Sequence, residues 1–309
     1  MNRRLHGIHH VTAITAEAQP NVDFYADVLG LRLVKKTVNF DSPDMYHLYF
    51  GDEVGHAGST MTFFEIPGAA PGRPGAGMVH ETQWRVRDTA ALDFWTARLT
   101  DAAIATERDG ATLRFADPEG LGLAFVADQS PDAPLAALHP AIPAEHALLG
   151  FAGARAYSSD PERSTATLER LPGFERSDDG AWRVEGDRSS TWHYDSAPVT
   201  PGRPGAGTVH HIAWAAKDAE QEDWQAAIAA QGLRPSPIMD RTYFRSVYFR
   251  EPSGVLFEIA TDAPGFTLDE PVASLGSALR LPPQFEARRV PIEARLRPLR
   301  SPRDVASHA

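Results

Sequence analysis

The chain opens its patterned part with a half-apolar, β-branched run, Gly7-Ile-His-His-Val-Thr-Ala-Ile14, which reads as a strand. Residues 22–29 change to helical spacing and end at Gly30, a usual C-terminal cap. Three more strand-like runs follow at 34–39, 45–50 and 60–66. One strand, one helix and three strands therefore form the first unit.

That order returns along the chain. Pro71-Gly-Arg-Pro-Gly-Ala-Gly77 recurs letter for letter from Pro201 to Gly207. Each copy leads into a similar strand, at 78–88 and 208–218, then into helical stretches at 90–99 and 220–231. Both units close on a Pro-Gly turn and an apolar strand, at 117–126 and 251–260. A weaker copy has strands at 150–156, 181–186 and 191–194 and a helix at 161–171. Four βαβββ modules result. Because one such unit cannot bury both faces of its curled sheet, the modules are expected to pair into two pseudo-symmetric open β-barrels of an α+β fold. The expected organisation is residues 1–130 for modules one and two, 144–265 for modules three and four, and a tail at 266–309. Residues 131–143, rich in Ala and Pro, read as the linker, and 285–299 as a short amphipathic helix packed outside.

Composition narrows the partners. A length of 309 residues suits two ordinary domains, and a net charge of -11 argues against nucleic acid or an anionic membrane as partner. With no cysteine there is no disulfide, thiolate ligand or cysteine nucleophile, so any metal must sit on His and carboxylates. Arg3 and Arg4 have no apolar stretch behind them, and no run reaches the length of a membrane span. A cytoplasmic protein without an export signal is the expectation.

The candidate chemistry lies where the modules differ. His9-His10 recurs as His210-His211, and at the second position the four modules read His10, Glu81, Gly153 and His211. Counted against Phe-Glu-Ile near the end of the last strand, they read Glu65, Ala124, no clear acid, and Glu258. Modules one and four thus keep the potential ligands. Two imidazoles and one carboxylate form the set that non-haem Fe(II) oxygenases use, with coordination positions left open. Strand parity puts His10, Thr12 and Ile14 on the cavity side, and likewise His211. This choice starts from Ile212 and Trp214, which read as helix-packing residues and leave His211, Ala213 and Ala215 on the other face; His9 and His210 become supporting or core residues. Glu65 is either a fourth ligand or an outward carboxylate. Tyr248 lies opposite Glu258 if a five-residue loop joins their strands, and a four-residue loop turns it away. In the first case its phenol can bond a ligand oxygen, with Arg241 near enough to stabilise an anion. His47, His56, His80, His139 and His193 lack this context and read as structural or exposed.

Beyond those positions, Leu33-Val-Lys-Lys-Thr-Val-Asn-Phe40, His47-Leu-Tyr-Phe-Gly51, Thr60-Met-Thr-Phe-Phe64 and Thr208-Val-His-His-Ile-Ala-Trp214 complete a recognisable set with the opening strand. The chain resembles the vicinal oxygen chelate superfamily, and within it the ring-cleaving hydroquinone dioxygenases, of the 2,6-dichlorohydroquinone and methylhydroquinone type. The likeness extends to Leu281-Pro-Pro-Gln-Phe-Glu286. It implies His10, His211 and Glu258 as Fe(II) ligands, with Mn(II) replacing iron in some relatives. It also implies that Tyr248, Arg241, His9, His210 and Thr12 surround the metal, and that modules one and four form one barrel and two and three the other. The activity implied is extradiol-type cleavage of a substituted hydroquinone with O2. A metal-dependent isomerase or lyase of glyoxalase type is the rival enzyme, and a metal-free aromatic-binding protein the non-enzymatic rival. Association into a homo-oligomer stays open.

Overall fold

In the computed structural model, which describes residues 3–303, each module supplies four strands. The first has β1 (Ile8–Thr15), β2 (Arg32–Val38), β3 (Tyr46–Gly51) and β4 (Thr60–Glu65); the second β5 (Met78–Val86), β6 (Glu107–Asp109), β7 (Thr112–Ala116) and β8 (Gly122–Ala127). The third has β9 (Phe151–Ser158), β10 (Phe174–Arg176), β11 (Trp182–Glu185) and β12 (Ser189–Ser196). The fourth has β13 (Thr208–Ala216), β14 (Met239–Asp240), β15 (Arg245–Arg250) and β16 (Leu256–Thr261). After the first strand of each module comes a helix: α1 (Ala18–Val22), continued by a π-helical turn over Asp23–Val28, then α2 (Thr89–Asp101), α3 (Glu162–Leu168) and α4 (Gln221–Ala230). Met1 and Asn2, which head the segment read as lacking an export signal, and tail residues 304–309 lie outside the described residues. Among the described residues no helix is long and apolar enough to cross a membrane.

The strands form two eight-stranded sheets, ordered β14-β15-β16-β13-β1-β4-β3-β2 and β10-β11-β12-β9-β5-β8-β7-β6. Modules one and four therefore share one sheet, and two and three the other. The first sheet is joined by antiparallel pairing of β1 with β13, and the second by the same pairing of β5 with β9. Each seam carries two register shifts, which leave His9 and His210 unpaired in one and His80 and Ala152 in the other. Such β-bulges bend a strand and re-aim the adjoining side chains.

The repeated heptads explain their own identity. Arg73 and Arg203 exchange backbone N–H···O bonds of 2.8 Å, and each guanidinium reaches the other loop's proline carbonyl. A Cβ on Gly75 would lie 2.3 Å from the Gly202 nitrogen, so the two copies dock only as bare backbone. Trp214, expected under a helix, instead has its ring against Phe174, Trp192 and Phe257, where the two sheets share a core.

The tail braces the first sheet. Residues 131–143, the expected linker, hold only an isolated bridge between His139 and Ile142. The expected helix at 285–299 is shorter: a 3-10 turn, Pro283–Arg288, passes into α5 (Arg289–Glu293), with Ile292 and Leu296 buried. Pro291 has no N–H to give to an α-helical ladder, which limits the run. Upstream, the Lys35 ammonium on β2 lies 2.6 Å from Asp269 and 2.5 Å from Glu270 of the tail, with Lys35 and Glu270 fully buried. Removing the ammonium leaves the buried Glu270 carboxylate with the Arg280 guanidinium, 3.4 Å from its other oxygen, to offset its desolvation, so Lys35→Met is expected to cost about 3 kcal/mol. Lys35→Met/Glu270→Leu should recover much of that loss in urea unfolding; a single variant as stable as the parent would show that the pair does not brace the tail.

Candidate metal centre

Across the β1–β13 seam, Thr12 pairs with His211 and His10 with Ala213, while Ala213 pairs with Glu258 on β16. This register brings three side chains from residues far apart in sequence to one place. His10 Nε2 is 3.3 Å from His211 Nε2; Glu258 Oε2 is 3.2 Å from the first and 2.9 Å from the second. All three side chains are buried. Glu258 Oε1 accepts a hydrogen bond from Ser246, but Oε2 has no hydrogen-bond partner of adequate geometry. Burial alone would raise the Glu258 pKa, yet His10 and His211 hold it well below the usual carboxylate range. Two imidazole nitrogens and an orphaned buried carboxylate oxygen aimed at one point fit a divalent cation.

The bulged histidines set the tautomer on one side of that point. His9 Nε2 lies 3.0 Å from the Thr261 carbonyl, which only accepts, so this nitrogen carries the hydrogen. His9 Nδ1 is then the acceptor at 2.8 Å from His10 Nδ1, whose hydrogen it takes. His10 Nε2 keeps its lone pair for a metal, the usual second-shell logic of metal-bound histidine. His211 repeats the contact, with its Nδ1 2.7 Å from His210 Nδ1. The two supports differ in setting: His9 is buried, whereas His210 is exposed and lines the cavity. Burial, and then His10, push the His9 pKa down to about 3.

Over the cluster lies a cavity of about 330 Å³. Tyr248 pairs with Glu258 in the sheet, the register of the longer loop, and its ring stands 5.5 Å from His211. Burial, and then Glu258, raise the phenol pKa above its ordinary range, so Tyr248 stays a hydrogen-bond donor. Arg241 Nε donates to the Tyr248 hydroxyl at 3.2 Å, and its guanidinium lies between the Phe40 and Tyr248 rings. Residues 241–249, read as one strand, split here. Arg241 to Phe244 form a turn with Thr242 at φ 69, because the Asp240 carboxylate captures the Thr242 N–H. Ile14, Phe64, Ile66 and Leu256 give the cavity an apolar side suited to a ring, and Thr12 also lines it.

Two positions depart from the sequence expectation. Thr12 pairs with Thr62 as Ala213 pairs with Glu258, so the counterpart of Glu258 is Thr62, three residues before Glu65. Glu65 instead accepts from the Ala18 N–H at the start of α1, outside the ligand cluster. The second is His47, read as structural or exposed, which is buried in the cavity wall. Its Nε2 is 2.9 Å from the Thr62 hydroxyl, and Tyr49 bonds its Nδ1 at 2.9 Å. Thr62 in turn meets Thr12 at 2.9 Å. The sequence does hold a signal: Leu48-Tyr-Phe50 aligns with Val247-Tyr-Phe249, which makes Tyr49 the module-one counterpart of Tyr248.

Comparison with known proteins places the fold in a family. A family model described as the Glyoxalase/Bleomycin resistance protein/Dioxygenase superfamily matches residues 7–125 and 147–259. The chain belongs to this superfamily. Among its members, MhqO of Bacillus subtilis, named as a ring-cleaving dioxygenase, is 44% identical over 96% of this chain and 98% of its own length. The chlorohydroquinone/hydroquinone 1,2-dioxygenase of Sphingobium indicum is 33% identical over 92% of this chain and 93% of its own. A Bacillus subtilis crystal structure named as a dioxygenase superposes with a TM-score of 0.90 at 43% identity, covering 96% of this chain and 98% of that one. A maize glyoxalase I variant, at TM-score 0.61 and 14% identity, covers 87% of this chain and 96% of its own, and shares the fold.

Alanine at His10, His211 or Glu258 should strip bound metal, read by elemental analysis of the purified variants. Glu65→Gln should keep the parent's metal content, and its loss there would return Glu65 to the ligand set. In metal-free protein His9 also makes stability pH-dependent. Its pKa is about 3 folded against about 6.5 unfolded. The unfolded state thus binds the extra proton, and stability is full above the unfolded value and falls as pH drops toward the folded one, by at most about 1.4 kcal/mol per pH unit. His9→Gln should flatten that part of an acid denaturation curve; an unchanged slope would place the acid sensitivity elsewhere.

Proposed function

We propose that this chain is a non-haem Fe(II)-dependent dioxygenase that cleaves the ring of a substituted hydroquinone beside a hydroxyl-bearing carbon. The observation that carries the reading is the buried two-histidine, one-carboxylate convergence under an aromatic-sized cavity, in a chain whose full-length relatives include a hydroquinone 1,2-dioxygenase. His10, His211 and Glu258 would hold the metal, which on this reading is Fe(II), with Mn(II) a possible replacement. A bound divalent cation there supplies Lewis acidity that lowers the pKa of a ligated phenol, together with open positions for O2.

The chain's own groups do the positioning. A para-diol cannot chelate through both oxygens, so the protein must orient the ring. The Tyr248 hydroxyl, held by Arg241, provides a donor beside the cluster, and the Arg241 charge favours an anionic oxygen in the cavity. The apolar residues opposite hold the ring's face and exclude water. His210, with one nitrogen on His211 and its ring at the cavity, is placed to move a proton between substrate and solvent.

No observation favours a four-ligand isomerase, because the mirror position of Glu258 is a threonine. The test is oxygen uptake by anaerobically purified, Fe(II)-loaded protein offered methylhydroquinone and catechol in parallel. Uptake with the hydroquinone and little with catechol is expected. Silence with both, from protein shown to hold iron, would overturn the dioxygenase reading.

A further inference from the structure

The first sheet curls around the metal cluster, and cavities lie at both ends of it. Along β1, residues 10, 12 and 14 line the cavity already described, while His9, and His6 just before the strand, line a second one of about 420 Å³. Leu256, at the start of β16, lines the first, and Asp262, just past its end, the second. On β13, His210 and Ala215 divide in the same way. Among the described residues one side chain lines both cavities, that of Phe244. Its ring centroid lies 5.1 Å from that of His10 and 5.2 Å from that of His9. The second cavity changes character with depth. Asp187, Asp262 and His56, which line it, have exposed side chains, whereas Phe244, Tyr243, Phe266 and Ala215 are buried and apolar in their bulk.

We propose that this second cavity is a passage by which dioxygen, a small apolar gas, reaches the metal cluster from the end of the half-barrel opposite the aromatic substrate, with Phe244 as its gate. The proposal rests on the dioxygenase reading. An aromatic ring seated on the cluster occupies the first cavity, so a second reactant arriving from that side must pass it. On the other side the Phe244 ring, beside the His9 ring, stands between the second cavity and the first, and a phenyl ring excludes ions and bulky solutes while a rotamer change admits a diatomic molecule. Phe244 is borne on the strained turn that also carries Arg241, and the Tyr243 hydroxyl ties that turn to Asp269 of the tail at 3.0 Å. Two reactants would then enter by separate doors.

The test uses nitric oxide as a dioxygen surrogate that reports binding without turnover. The rate of iron–nitrosyl formation is followed by stopped-flow absorbance in anaerobic Fe(II)-loaded protein saturated with methylhydroquinone. Ala57→Trp fills the outer part of the second cavity, away from the metal and the substrate. It should slow nitrosyl formation by about five-fold or more while leaving hydroquinone affinity unchanged. Phe244→Ala should accelerate it. Parent-like rates in both variants would overturn the passage and leave the dioxygenase reading intact. No nitrosyl signal from unmodified, iron-replete protein would instead remove the dioxygenase reading. Crystals under xenon pressure give an arm independent of iron: xenon beside Phe244 in the second cavity supports the passage, and a cavity that takes up none overturns it.

Discussion

Everything at the centre of this fold depends on three lone-pair-bearing atoms brought to one buried point. Two imidazole nitrogens and a carboxylate oxygen within hydrogen-bonding distance of one another are costly to bury unless a cation or a proton lies between them. The chain reaches this arrangement by pairing its first strand with one that begins near residue 208. The bulges at His9 and His210 then bring a second imidazole against each ligand. An unbulged strand would point that neighbour to the opposite face, where it could not reach the ligand's Nδ1. Ligand orientation and strand irregularity are thus one feature.

The second sheet shows the same frame without the requirement. Its positions equivalent to His211, Glu258 and His10 are Glu81, Ala124 and Gly153. Glu81 there accepts from Gln83 and Arg114, and Asp195 holds His80 and Arg155, so its polar groups neutralise one another. Because the two seams are built alike, down to the bulges, the frame is not what makes the His10–His211–Glu258 convergence. The ligand residues are, and the second sheet serves the first by burying Trp214 and its aromatic neighbours.

The internal repeat makes most of this legible in the amino-acid sequence. Four modules and the ligand-bearing pair follow from comparing the chain with itself, and the choice of His10 and His211 over their neighbours from strand parity. That comparison fails where register is set by pairing and not by local pattern. Phe64-Glu65-Ile66 matches Phe257-Glu258-Ile259 in letters, but β4 sits three residues further along its neighbour than the letters imply, so the true counterpart is Thr62. The bulges are equally hidden, since no residue type marks them. His47 escapes the comparison for a different reason: its module-four equivalent is Ser246, so the similarity lies in the Tyr-Phe that follows and not in the histidine itself.

The tail, the least patterned part of the chain, joins stability to the site. Lys35 on the first sheet is buried against Asp269 and Glu270, and its ammonium also lies 4.9 Å from the Tyr243 ring. Tyr243 bonds Asp269, and Phe266 packs on both Tyr243 and Tyr49. The turn that carries Arg241 is therefore clamped between its own sheet and a segment with no counterpart in the other modules. A strained turn with Thr242 in the left-handed region holds its shape only when its surroundings fix it. The paired carboxylates of the tail provide that fixing, and with it the placement of Arg241 over Tyr248. The guanidinium of Arg241 keeps its place on Tyr248 through a rigid support, and here the support comes from outside the repeat.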